Sequence, residues 1–240
     1  MDKRFKHTLV AHKICPYSMK VLTVMRHKNV KFEIKFIETH NKPEWFLRIS
    51  PLGNVPVLII GEEIVLSESA VIMEYIDEIT PPKLMPDDPL EKAIDRAKFE
   101  FSNEIIRNLY TFIFSTEQEK FVRQKEWLMK HFKWIEEWLK DKKYINGNEL
   151  SLVDLSFVPL FVALNMLKST LPCDMLKDFK RLKIYGEMIT SLPCVKTGRV
   201  PDYEFLMIDG IKSQNTVLYR SNPCYFNNGA KPQGCCLFRN

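Results

Sequence analysis

The chain lacks the cysteine spacing that metal centres and two-cysteine redox sites require. Its six cysteines, at positions 15, 173, 194, 224, 235 and 236, include no Cys-x-x-Cys and no metal-ligand pattern. No metal is therefore expected. In a reducing compartment most of these thiols should be free, and Cys173 and Cys194, set among apolar helical residues, read as small buried hydrophobes. An excess of one charge is also missing, with 35 basic against 30 acidic residues and a net charge of +5. Residues 207–240 hold Lys212, Arg220, Lys231 and Arg239 against Asp209 alone, so three of those five charges sit there. The remaining body is too weakly charged to argue for nucleic acid or an anionic membrane. No stretch approaches the ~20 apolar residues of a membrane span. Residues 1–12 are charged and lack the apolar run and cleavage site of a signal peptide. These absences describe a cytoplasmic protein with no nucleic-acid or membrane partner.

What is present is a chain of 240 residues, 45% hydrophobic and 27% charged, enough for one large core or two ordinary ones. The first part alternates strand and helix signals. Strands are predicted at 7–11, 32–36, 57–60 and 64–66, and helical segments at 16–27, 43–49 and 69–79. A strand–helix–strand unit followed by a hairpin implies a mixed sheet covered by helices. Residues 80–89 contain four prolines and read as a linker. Beyond it only helix patterns remain, at 90–115, 117–142, from about 151 to 168, and at 175–190. Trp127, Trp134 and Trp138 read as core or groove packing rather than a cofactor box. Ser151 and Asp154 have the spacing of a capping box, with Leu150 and Leu155 placed as a hydrophobic staple, so Asp154 reads as structural. After about Asp209 the periodicity fails. The expected division is an α/β domain at 1–80, a linker at 81–89, an all-helical domain at 90–209 and an irregular, mobile tail at 210–240.

Cys15 precedes Pro16, Tyr17 and Ser18 at the start of a helix-patterned stretch. Proline is favoured at the first helical position, which places Cys15 before the unpaired amides of the first turn. The helix dipole then favours thiolate, and such placements lower a cysteine pKa from about 8.5 to between roughly 3.5 and 7.5. Val55-Pro56 stands at the start of an apolar strand, where a cis bond would free the Val55 backbone for an extended peptide. Ser67-Glu68-Ser69 lies at a strand–helix junction. Amides there can hold a carboxylate, Ser69 can add a hydroxyl, and Glu68 can pair with an ammonium group. A ligand with a carboxylate and an ammonium at one end, a peptide backbone and a thiol is glutathione.

These segments resemble the glutathione transferase superfamily, and within it the omega class. The matching text is Asn41-Lys42-Pro43-Glu44-Trp45-Phe46, Pro51-Leu52-Gly53-Asn54-Val55-Pro56-Val57-Leu58, Glu68-Ser69-Ala70, Glu74-Tyr75-Ile76-Asp77-Glu78 and Leu84-Met85-Pro86-Asp87-Asp88-Pro89. The resemblance is strong over about residues 8–92 and weaker, but continuous, through the helical half. It implies a thioredoxin-like α/β N-terminal domain joined to an all-α C-terminal domain, usually paired as a homodimer. By position it makes Cys15 the active-site cysteine, Lys42 the partner of the glycyl carboxylate and Val55 the backbone partner of the cysteinyl moiety. Pro56 becomes a cis-proline, Glu68 and Ser69 the γ-glutamyl contacts, and Tyr17 the aromatic residue of the motif.

With a cysteine at this helix end, the expected chemistry is glutathione-dependent thiol transfer, with dehydroascorbate reduction as a related cycle. Ser18 stands where a two-cysteine oxidoreductase would carry a resolving thiol, so a second glutathione must complete the turnover. Two alternatives stay open. One is conjugation of glutathione to electrophiles. The other is a non-catalytic scaffold of the stringent-starvation regulator type, against which Cys15 itself argues.

Overall fold

Five consecutive buried residues make β1 (His7–Ala11) an inner strand of a four-stranded sheet. The structure, a computed structural model, describes residues 6–171 and 174–228. α1 (Pro16–His27) carries the chain across to β2 (Phe32–Phe36), which lies parallel to β1 with Ile34 opposite Leu9. After α2 (Glu44–Ile49), β3 (Val57–Ile60) pairs antiparallel on the other side of β1, with Leu58 opposite Leu9. β4 (Ile64–Leu66) completes the hairpin. Its tight turn is allowed by Gly61, whose φ of +66° suits glycine. The order β2-β1-β3-β4 is the mixed sheet that one crossover and one hairpin produce. It is the thioredoxin-like half that the resemblance implies, and the rest of the described chain is helical.

α1 has no solvent face over most of its length. Every residue from Ser18 to Met25 is buried, because α1 packs on α3 (Ser69–Ile79) and also against α6 (Leu152–Thr170) and α8 (Pro193–Gly198). Lys20 and Thr23 are enclosed along with the apolar stripe. Two inter-element links hold the neighbouring corner. Asp77, fully buried, accepts from the amides of Leu84 and Met85 and pairs with Lys28 at 2.6 Å, which fastens the proline-rich segment to α3.

The long helices begin where local chemistry allows. Asp88 caps α4 (Pro89–Ile113) by accepting from the amides of Leu90 and Glu91, with Pro89 at the first position. α5 (Gln118–Trp138) packs along α4. Trp127 stacks on His131 and Trp138 meets Phe101 edge-on, whereas Trp134 is 57% exposed and is not a packing residue. α6 opens with the expected capping box between Ser151 and Asp154. α6 also corrects the expectation that no stretch has the apolarity and length of a span. It alone among the described residues passes that test. Asp154, Ser156 and Asn165 interrupt its apolar run, yet the helix is apolar on nearly every side and forms the centre of the core, between α1, α4 and α7 (Lys180–Ser191).

α7 starts at Lys180 rather than 175. Asp174 ties down the preceding turn through the amide of Leu176, and Glu136 of α5 accepts from the amides of Arg181 and Leu182, capping α7 from another helix. At Gly186, α7 touches α6 so closely that an added Cβ would lie 2.3 Å from Cδ1 of Phe161. Gly186→Ala is therefore expected to destabilise the protein by about 1–3 kcal/mol. Thermal unfolding reads this, and an unchanged midpoint would mean that Phe161 can swing aside.

The expected irregular tail is corrected as far as Asn228. α9 (Tyr203–Ser213), α10 (Val217–Ser221) and α11 (Pro223–Asn228) continue the helical half. Long-range bonds hold these short elements: the Val217 amide donates to the Ser115 carbonyl, and the Arg220 guanidinium donates to that of Thr116. Val217, Leu218, Tyr225 and Phe226 are buried. α9 buries Tyr203, Met207 and Ile211 at helical spacing, whereas α10 and α11, of five and six residues, are too short to show a periodicity. Cys194 is buried as expected, while Cys173, Cys235, Cys236 and the remainder of the tail lie outside the described residues.

Candidate active site

Cys15 occupies the N-cap of α1, extended at φ −71° and ψ 121°, with its amide donating to the His12 carbonyl and Pro16 following at the first helical position. Its sulfur is 3.7 Å from the carbonyl oxygen of Val55. The Val55–Pro56 peptide is cis and immediately precedes the start of β3. Ser18 is almost fully buried, and its Oγ also accepts from the His12 amide at 3.4 Å.

Around the sulfur opens a cleft of about 730 Å³, within the usual size of a small-molecule site. It brings together all seven residues singled out in the sequence: Cys15, Tyr17, Lys42, Val55, Pro56, Glu68 and Ser69. Lys42 lies across Gly53, where an added Cβ would be 3.0 Å from Nζ, so a side chain at Gly53 would displace the amine. Gly53 also has φ +64°. Ser69 is the first residue of α3, so the cleft is lined by the residues at the N-terminus of that helix. Glu68 before it has φ +66°, an uncommon conformation for a non-glycine residue and one that tends to mark ligand-binding turns.

The other wall comes from α4, and sequence reasoning did not anticipate it. Glu100, Asn103 and Arg107 line the main cleft, while Arg107, Tyr110, Thr111 and Phe114 line an adjoining cleft of about 450 Å³. Their spacing of three and four residues was the available signal, a polar and aromatic stripe along one face of an otherwise ordinary helix. Cys15, Tyr17 and Arg107 belong to both clefts, so the sulfur sits at their junction. Arg107 pairs with Glu104 at 2.7 Å. The Tyr110 hydroxyl meets that of Tyr203 from α9 at 2.8 Å. Burial pushes the Tyr110 phenol well above its ordinary value and that of Tyr203 up to about 12, so both hydroxyls stay protonated at physiological pH, one donating to the other.

The electrostatics of Cys15 differ from the expectation. Burial is the largest influence and pushes its thiol pKa up. The amide and hydroxyl of Ser18, the amide of Tyr17 and the charge of Lys20 pull it down without reversing the shift. The helix end does aim donors at the sulfur, as the sequence implied. Burial around the start of α1, however, outweighs them.

Comparison with known proteins matches residues 14–79 to the glutathione S-transferase N-terminal domain and residues 75–193 to the glutathione S-transferase C-terminal domain. The chain is 32% identical over 207 residues to glutathione S-transferase omega-1 of Sus scrofa, covering 85% of each chain. It is 34% identical over 146 residues to the chloroplastic glutathione S-transferase DHAR3 of Arabidopsis thaliana, covering 60% of this chain and 53% of that one. Among solved structures it resembles glutathione transferase Omega 3C of Trametes versicolor, with a TM-score of 0.71 and 20% identity, covering 80% of this chain and 88% of that one.

Proposed function

The chain belongs to the glutathione S-transferase family, with omega-class relatives, and from that we propose that it is a glutathione-dependent thiol transferase working through Cys15 alone. The observation that carries the proposal is the convergence of seven residues of complementary chemistry on one cleft, with the sulfur at its end. Glutathione enters as substrate. Lys42 takes the glycyl carboxylate, and the Val55 backbone pairs with the cysteinyl moiety. The amide and hydroxyl of Ser69 take the γ-glutamyl carboxylate, and Glu68 takes the ammonium group.

In this seat the Cys15 thiolate attacks the glutathionyl sulfur of a mixed disulfide. A bond forms between Cys15 and glutathione, and the partner thiol leaves as a thiolate that takes up a proton. A second glutathione thiolate then attacks the enzyme-bound glutathionyl sulfur. Glutathione disulfide departs and the Cys15 thiolate is restored. Ser18 carries no thiol, so no internal disulfide can substitute for that second glutathione. Dehydroascorbate reduction is a related use of the same site. We place the protein in the cytoplasm and read it as a homodimer, the dimer being supported by the exposed apolar side chains Val71, Leu90 and Ile94 on α3 and α4.

Exposure to glutathione disulfide should yield one glutathione adduct, on Cys15, that free glutathione removes. Mass spectrometry of the digested protein reads this, and adducts confined to Cys235 or Cys236 would overturn the proposal. Conjugation of glutathione to electrophiles is the second reading. The adjoining cleft favours it, because Tyr110 and Phe114 offer an apolar surface next to the sulfur.

A further inference from the structure

Lys20 is fully buried, and its amine donates to Ser102 Oγ at 3.0 Å and Asn103 Oδ1 at 2.6 Å, both on α4. The side chain leans back toward the start of α1, with Nζ 5.6 Å from the centre of the Tyr17 ring and 5.8 Å from that of Phe99. Among the described residues no carboxylate forms an ion pair with it. A buried ammonium bonded directly only to neutral oxygens gains from any anion nearby. From α4, Glu100 is one such anion, accepting from the Asn103 amide at 3.3 Å; on the ammonium's own helix the anion available is the thiolate of Cys15.

We propose that Lys20 is a positioning residue for the nucleophile: its buried ammonium, anchored by Ser102 and Asn103, supports the Cys15 thiolate, so that the helical domain helps to set the reactivity of a thiol in the other domain. The proposal rests on Cys15 being the nucleophile of the proposed transfer. Each charge favours the other, since Lys20 lowers the thiol pKa and Cys15 raises that of the amine. Burial brings Lys20 down to about 7, opposed by Glu100 and Cys15. Glu100 comes from α4, and no charged group of α3, α6 or α8 among the described residues acts on Lys20. The adjacent Tyr17 phenol, itself raised by burial and faced by Arg107 and Glu104, stays neutral. The thiol, raised by burial, and the amine, brought down to about 7, are therefore a coupled pair in which each charge favours the other. Below the amine's pKa the ammonium is present to stabilise a thiolate. As pH rises through about 7 an unpaired amine loses its proton, whereas a thiolate alongside retains it.

Site-resolved mass spectrometry of iodoacetamide alkylation, followed against pH in the full-length chain, tests this without any glutathione. Lys20→Met should slow alkylation of Cys15 about tenfold near neutral pH and move its profile up by about one pH unit, the effect of losing one nearby opposite charge. Lys20→Arg keeps the charge and should keep the wild-type profile. Cys224 serves as a reference thiol, and protection of the buried Cys194 reports that the fold persists. With Cys194 protected, an unchanged Cys15 profile in Lys20→Met, or an equal shift in Lys20→Arg, overturns the proposal. If Lys20→Met exposes Cys194, Asn103→Leu decides, since it removes the shorter anchor: a Cys15 profile shifted upward supports the proposal, and an unshifted one overturns it. Absence of thiol transfer alongside a clear Lys20 effect on alkylation would overturn the function and leave this inference standing.

Discussion

Cys15→Ser should abolish transfer of glutathione from mixed disulfides, lowering kcat/KM by roughly a thousandfold or more. The reason is chemical before it is structural. A serine oxygen cannot form the enzyme–glutathione disulfide through which the reaction passes, and its hydroxyl stays protonated at any working pH. No nearby group can take over, because Ser18 also carries oxygen. The seat itself is untouched by the change, since Lys42, Gly53, Val55, Glu68 and Ser69 line the cleft from other segments. Glutathione affinity measured by calorimetry should therefore stay within about threefold of wild type, since only the thiol–thiol contact is altered. Loss of turnover with retained binding places the thiol in the chemical step. Transfer at more than a tenth of the wild-type rate would remove Cys15 from the centre of the mechanism and leave conjugation as the better reading.

What the sequence made legible was local. The four strands follow from alternation and from β-branched runs, and α1 and α3 from apolar spacing with Pro16 and Ser69 at their starts. The seven cleft residues were reachable because each has a local reason for its place, at a helix end or a strand start. The features that escaped are those in which a second element completes the first. Lys20 reads as an ordinary polar position on α1 until α4 covers it. Burial around the sulfur turned the expected fall in the Cys15 pKa into a rise. The start of α7 depends on Glu136, more than forty residues away. α10 depends on carbonyls at Ser115 and Thr116, about a hundred residues back. The α4 stripe from Glu100 to Phe114 was visible as spacing, yet its polar and aromatic mix resembles a solvated face until the cleft gives it a partner.

The same distinction between local signal and tertiary completion makes Asp154 a sensitive position in the fold. As half of a capping box it would be worth about 1 kcal/mol. In the structure its carboxylate is fully buried and does more. One oxygen accepts from the Ser151 amide at 2.8 Å and the Ser151 hydroxyl at 2.6 Å. The other accepts from the Ile145 amide at 2.9 Å and the Tyr185 hydroxyl at 2.8 Å. Those donors come from the α6 cap, the loop before it and α7, so one side chain joins three segments around the central helix. Burial and the neighbouring carboxylate push the Tyr185 phenol well above its ordinary value, which keeps it a donor. Asp154→Ala strands these donors where water does not reach, at about 1–3 kcal/mol for each one left unpaired. Allowing for local relaxation, the expected loss is about 4 kcal/mol, or roughly 10 °C in the thermal midpoint of a chain this long. Tyr185→Phe removes one donor and leaves the carboxylate three others, so it should cost only about 1 kcal/mol. Circular dichroism melts of the two variants separate the alternatives. If Asp154→Ala loses no more than Tyr185→Phe, the carboxylate is a simple helix cap and the three segments are held together by packing alone.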